Sequence, residues 1–240
     1  MTPYVLRLLK DATSENLMKK LLAGMMFAAA MPAFADGKAT ITSNDSQQNM
    51  QMQIHWAGDK MRMDFPSQQQ HGYMLMRDGK GYMVTQQGGQ PLIMDMSMLR
   101  EMSDSMGDDA GAMATQAETV DSLEATGKTE TVAGIEGDVY RLAWTDRGGQ
   151  SHEDTLVLSD DPLAHEMLGA FQDYVKAVMG RTDPIGKAIL ERDQGMLRFG
   201  ERFKVAEIAD ASPDASTFEL PENAVTMEQM IRQQMDNGAQ

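Results

Sequence analysis

The chain has no cysteine. That excludes a disulfide framework and a lipid-attachment cysteine. Basic residues are scarce, 21 Lys and Arg against 36 Asp and Glu, for a net charge of −15. Charge of this sign repels nucleic acid and anionic lipid headgroups, so neither is expected as a partner. Past the first 35 residues no apolar run is long enough to span a bilayer, so stable membrane insertion is not expected. No HExxH, GxSxG or Walker pattern occurs, and an enzyme is not expected. Asp108-Asp109 and Asp160-Asp161 lack the alternating ligands of a calcium loop. No cofactor is expected.

The N-terminus carries an export signal. Lys19 and Lys20 form a basic start, Leu21 to Met31 is apolar and small, and Ala33-Phe34-Ala35 is an A-x-A cleavage site before Asp36. Residues 1–35 are read as a signal peptide, with Met18 as an alternative true start. Its apolar part is too short for a transmembrane anchor and Pro32 interrupts it. Cleavage leaves 205 residues. The removed segment holds four basic and two acidic residues, so the mature charge is −17 against −15 for the full chain. The expected location is the periplasm. The expected organisation is one domain over 36–240, with a helical and acidic segment at about 97–127.

Methionine is abundant, 24 residues in all, and twelve lie between positions 50 and 106. Many are paired one residue apart: Met50 and Met52, Met61 and Met63, Met74 and Met76, Met94 and Met96. Alternate residues of a strand share a face, so each pair marks one face of one strand. Strands are predicted at about 38–43, 50–56, 61–65, 73–76, 82–85 and 92–96, an antiparallel meander. At Tyr73 to Met76 both parities are apolar, and the buried face is ambiguous.

The middle changes period. Met98, Met102 and Met106 recur every four residues and predict a helix from Ser97. Met113, Val120 and Leu123 predict a second helix ending at Gly127. Strands resume at 130–132, 138–144 and 152–158. The strongest helix follows, with Asp161 as N-cap, Pro162 in the first turn and Gly180 at the exit. Leu163, Met167, Phe171, Tyr174, Val175 and Val178 form its apolar stripe, which must dock on the Met-bearing sheet. Further strands are expected at 196–199, 202–208 and 216–220, and a capping box at Thr226 and Gln229 opens a short C-terminal helix.

Several stretches resemble a family of exported, Met-rich proteins known as a domain of unknown function. Gly58-Asp59-Lys60-Met61-Arg62-Met63-Asp64-Phe65 resembles its "GDKxRMDx" strand. Tyr73 to Met76 and Gly81 to Val84 resemble the hairpin that follows. Gly127 to Gly137 resembles its "GxTxxIAGxxC" segment, with Gly137 where many members carry cysteine. Phe218-Glu219-Leu220-Pro221 resembles a closing "FxLP" shared with LolA-like lipoprotein carriers. The resemblance implies an α+β fold, a curved antiparallel sheet (a LolA-like half β-barrel) with helices on its concave face.

Three functions stay open on the sequence. The first is non-catalytic binding of an apolar small molecule, lipid or lipoprotein in a Met-lined cavity, since methionine adapts to ligands of varied shape. Its expected lining is Met50, Met52, Ile54 and Trp56, then Met61, Met63 and Phe65, then Met74, Met76, Met94 and Met96, with Phe171 from the helix. The second is soft-metal (copper) binding by Met50, Met52, His55, Met61, Met63 and His71, because thioether and imidazole suit Cu(I). The third is a structural or sensing module that docks on an envelope protein. Apolar residues at strand spacing are also what a plain core requires. His152 and His165, each beside acids, are expected to be solvated surface.

Overall fold

A computed structural model of the protein describes residues 36–43, 50–66, 72–98, 100–101, 116–230 and 232. These fall within one compact unit, 34–240. The first part is a meander of β1 (Gly37–Ser43), β2 (Met50–Ala57), β3 (Lys60–Asp64), β4 (Tyr73–Arg77), β5 (Lys80–Gln87) and β6 (Gln90–Asp95). A second run follows with β7 (Ala117–Val132), β8 (Ile135–Asp146) and β9 (Ser151–Ser159). Helices α1 (Pro162–Met179) and α2 (Pro184–Leu190) come next, then β10 (Gly195–Phe199), β11 (Phe203–Asp210), the 3-10 turn η1 (Ala215–Phe218) and β12 (Val225–Thr226).

All twelve strands join one curved sheet in the order β12-β6-β5-β4-β3-β2-β1-β11-β10-β9-β8-β7. Every pairing is antiparallel except β12 on β6. The two ends, β7 and β12, do not meet, so the sheet is open. The architecture is α+β, as the sequence predicts. Among the described residues, no helix is long and apolar enough to cross a membrane.

The methionine pairs fall into register. Ile54 opposes Met63, Met63 opposes Met74, Met74 opposes Met83, and Met83 opposes Met94. A second row runs Trp56, Met61, Met76 and Gly81. These rows form the inner face, on which α1 lies. The alternate residues, among them Arg62, Leu75 and Tyr82, form the outer face. That resolves the two-sided strand β4: Leu75 is fully buried on the outer face. There η1 packs on β3 and β4. Arg62 donates to the Thr217 carbonyl at 3.3 Å and Arg77 to the Phe218 carbonyl at 3.2 Å. Phe218, the first residue of the "FxLP" stretch, is buried.

Helix α1 begins and ends as its sequence directs. Asp161 Oδ1 accepts from Leu163 N at 2.9 Å and Ala164 N at 3.3 Å, and Gly180 takes the left-handed conformation at the exit. The helix touches β10 and β11 on one side and β3 and β5 on the other. From β10 to β5 is six strand steps, about 29 Å along a flat sheet, and 18 helical residues span about 27 Å. The helix therefore bridges both halves of the sheet. Its contact points are two glycines. A Cβ on Gly195 would collide with the Ala164 backbone, and one on Gly81 would lie 2.5 Å from Val178 Cγ2. Close backbone approach at both ends requires the missing side chains.

Two expectations are corrected. The strand expected at 216–220 is instead the 3-10 turn η1: Thr217 N bonds back to the Asp214 carbonyl, and the Thr217 and Phe218 carbonyls take Arg62 and Arg77 rather than a neighbouring strand. The helix predicted from Met113 to Gly127 is instead, from Ala117 onward, the first part of the 16-residue strand β7. The misleading signal was the spacing of three between Val120 and Leu123. In β7 the register shifts between Val120 and Ser122, so an extra residue intervenes. Val120 then opposes Trp144 and Leu123 opposes Leu142, on the same face. A bulge makes a period of three in a strand. The helix predicted from Ser97 is helical at 96–98 and 100–101, and 102–115 lies outside the described residues. The capping box is present: Thr226 N donates to Gln229 Oε1 at 3.0 Å, and Gln229 N to Thr226 Oγ1 at 3.3 Å.

Candidate functional site

Two apolar clusters meet beneath the helices. The first holds the methionine rows and the stripe of α1, including Ile54, Trp56, Met61, Met63 and Met76. The second holds Leu142, Trp144, Leu156 and Leu158 of β8 and β9, with Ile185 and Ile189 of α2. Between them is a cavity of about 290 Å³. Its near wall is Ile41, Met52 and Ile54, and its roof is Met167, Leu168 and Phe171 of α1. Its far wall is Ala117, Trp144, Met196, Phe199 and Phe203, closed by Ile185 of α2. Asp183 and Arg202 are the charged residues on this lining. A second hollow of about 220 Å³ adjoins it, sharing Ala117, Phe171 and Asp183.

The predicted lining is only partly placed here. Met52, Ile54 and Phe171 line the cavity. Trp56, Met61, Met63 and Met76 are instead buried core, and Phe65, Met74 and Met96 pack partly buried against it. The Met74 sulfur accepts the Tyr174 hydroxyl at 2.8 Å, and burial pushes the Tyr174 pKa up to about 12. A thioether can take that hydrogen bond where leucine cannot. Met94 sits on β6 opposite Met83, away from the cavity lining. Met50 is exposed at the start of β2. So most of the methionine face is filled structure, and the open space begins at its edge.

The metal set is not gathered. His55 opposes Lys38 and Arg62 on the outer face, whereas Met61 and Met63 are buried on the inner one. Burial lowers the His55 pKa. His71 lies outside the described residues. Among the described residues, no three His, Asp or Glu side chains cluster as a metal site requires.

The charged lining has its own construction. Asp183 caps α2, accepting from Gly186 N at 2.8 Å, while its own N–H donates to Gln172 Oε1 at 3.0 Å. Burial raises the Asp183 pKa, against the lowering effect of the Gly186 N–H, the Gln172 side chain and the Arg181 charge. At the other end, Arg202 Nη2 donates to Asp154 Oδ2 at 2.9 Å, and Trp144 Nε1 donates to the same oxygen at 2.8 Å. The Arg202 guanidinium lies 4.9 Å from the Phe199 ring centre and 5.6 Å from that of Trp144. Trp144 stacks on His152 at 4.3 Å, and His152 Nε2 meets Asp146 Oδ2 at 2.8 Å. The His152 bond and the Gln150 N–H hold the Asp146 carboxyl below its usual range.

No protein-family model matches the chain, and no curated protein matches it. Among solved structures, an uncharacterized conserved protein from Thermus thermophilus is similar at 11% identity and a TM-score of 0.43, over 88% of this chain and 98% of that one. The Pseudomonas aeruginosa MucA/MucB complex is similar at 13% identity and a TM-score of 0.36, over 80% of this chain and 58% of that one. Likeness at this level names no family and assigns no role.

The expectation for His152-Glu153-Asp154 is thus revised: His152 and Asp154 form part of a partly buried network around Trp144. Strand parity carried a usable signal, since 152, 154 and 156 share one face with Leu156. Arg202 and Phe203 gave none, because only the folded sheet brings the turn between β10 and β11 close to Trp144 and Asp154.

Proposed function

We propose that this protein is a non-catalytic, exported binding protein that holds an apolar molecule, or the apolar part of a larger one, between α1 and the sheet. The observation that carries the reading is the cavity of about 290 Å³ at the junction of the two clusters, with Met, Phe, Trp, Leu and Ile on its walls. Small-molecule sites are concave, mostly apolar and sparing in polar groups. The flexible side chains of Met52, Met167 and Met196 suit a ligand of variable shape. The half-barrel likeness to LolA-like carriers belongs to this proposal, as does the periplasmic location read from residues 1–35. Copper binding is not carried forward, because His55 and the inner methionines face opposite ways.

A chain-length series of straight-chain alcohols tests it, read through Trp144 fluorescence. Each buried methylene adds about 0.8 kcal/mol, so affinity should climb with length and then level off when the space is full. Met52→Trp should fill the near wall and weaken the longest probes most, with the fold intact by circular dichroism. Affinity independent of chain length would refute the reading. Export is checked separately: N-terminal sequencing of secreted protein should begin at Asp36.

A further inference from the structure

The cavity is apolar along its length but has a cation at one end. Asp183, the other charged lining residue, is occupied as a helix cap, and burial disfavours its ionised form. Arg202 is differently placed. Its side chain is 42% exposed, and one of its N–H groups is used, toward Asp154. A guanidinium has five donors in a fixed fork, so most of them stay open to a ligand. Asp154 is only 13% exposed and is held by two donors, Arg202 and the Trp144 indole. It therefore works as a fixed post that keeps the guanidinium at the rim, beside the Phe199 and Trp144 rings that line the cavity.

Resting on the proposed function, we infer that the ligand is a single-chain amphiphile with an anionic head, whose chain fills the cavity and whose head pairs with Arg202. A planar fork recognises carboxylate and phosphate oxygens two at a time. The volume, at the low end for ligand sites, suits one chain rather than several. The strongly negative protein surface does not attract such a ligand from a distance, so recognition falls to this local cation.

Four probes with the same ten-carbon chain test this, titrated into the wild-type protein and Arg202→Gln below their micelle concentrations: decanoate, decyl phosphate, decanol and decylamine. In wild type, one or both anions should bind roughly tenfold or more tighter than decanol, as a charge-assisted hydrogen bond implies. Preference for decanoate points to a free acyl chain, and preference for decyl phosphate to a phosphate-bearing lipid. Arg202→Gln should abolish the preference, read as the ratio of anion to decanol affinity within each protein, with the melting temperature confirming the fold. Equal binding of decanol and the anions, or a preference that survives Arg202→Gln, overturns the inference and leaves the cavity reading standing. If none of the four binds, both fall.

Discussion

Met61 distinguishes a packed methionine face from an open one. It is fully buried, opposes Trp56 on one side and Met76 on the other, and lies on a strand that α1 touches. Its neighbours are held by the sheet register below and the helix above, so little can move in to fill a gap. Met61→Ala should therefore cost about 3–5 kcal/mol, the upper part of the range for buried large-to-small changes. Met61→Leu keeps the volume and loses only the sulfur, and should cost less than about 1.5 kcal/mol. Met52→Ala, on the cavity wall and only partly buried, should cost about 1–2 kcal/mol, since solvent reaches that space already. Urea unfolding followed by tryptophan fluorescence measures all three. With a slope of about 1–3 kcal/mol per molar, Met61→Ala should lower the midpoint by about 1 M or more. A loss below about 1 kcal/mol for Met61→Ala, or equal losses for Met61→Ala and Met52→Ala, would refute the assignment of the methionine rows to the core.

Gly195→Val should prevent α1 from seating on β10, because its side chain meets the Ala164 backbone rather than a movable group; loss of cooperative thermal unfolding is the expected result, and a wild-type melt would contradict the close approach. Phe218→Ala should cost about 3–5 kcal/mol by urea unfolding if η1 truly covers Leu75 and its neighbours on the outer face. Asp183→Asn keeps the cap, since asparagine also accepts from Gly186 N, and removes a buried charge. The Asp183 pKa is raised in the fold, so wild type loses stability as pH climbs from the unfolded value of 3.8 through the folded one. Asp183→Asn should accordingly melt higher than wild type at neutral pH, and the gap should close below about pH 4, where both states of the wild-type carboxyl are protonated.

Much of the fold is readable from short-range pattern, because the residues that decide it are neighbours in sequence. The paired methionines set strand faces, and Asp161, Pro162 and Gly180 set both ends of α1. The failures have specific causes. A bulge in β7 spaced Val120 and Leu123 by three and imitated a helix. Strand β4 is apolar on both faces because α1 covers one and η1 the other. For the site, the sequence placed Met52, Ile54 and Phe171 but assigned too much of the methionine face to ligand. Number alone cannot say which methionines are packed; that depends on where α1 crosses. Arg202, Asp154, Trp144 and Asp183 come from four separate stretches, and no local period joins them.

The seam between β1 and β11 has a consequence for how the molecule is made. Thr42 bonds to the Lys204 carbonyl across 162 residues of chain. The hairpins β2–β3, β4–β5, β5–β6, β7–β8 and β8–β9 close through short turns, which favours their forming first. The seam must wait, because loop-closure entropy and high contact order both delay it. Helix α1 likewise precedes β10 and β11, on which it packs, in the chain. Until that last pairing, the two half-sheets remain separate sub-assemblies with their apolar faces bare. That late closure sets a period during folding when the chain is most exposed to aggregation.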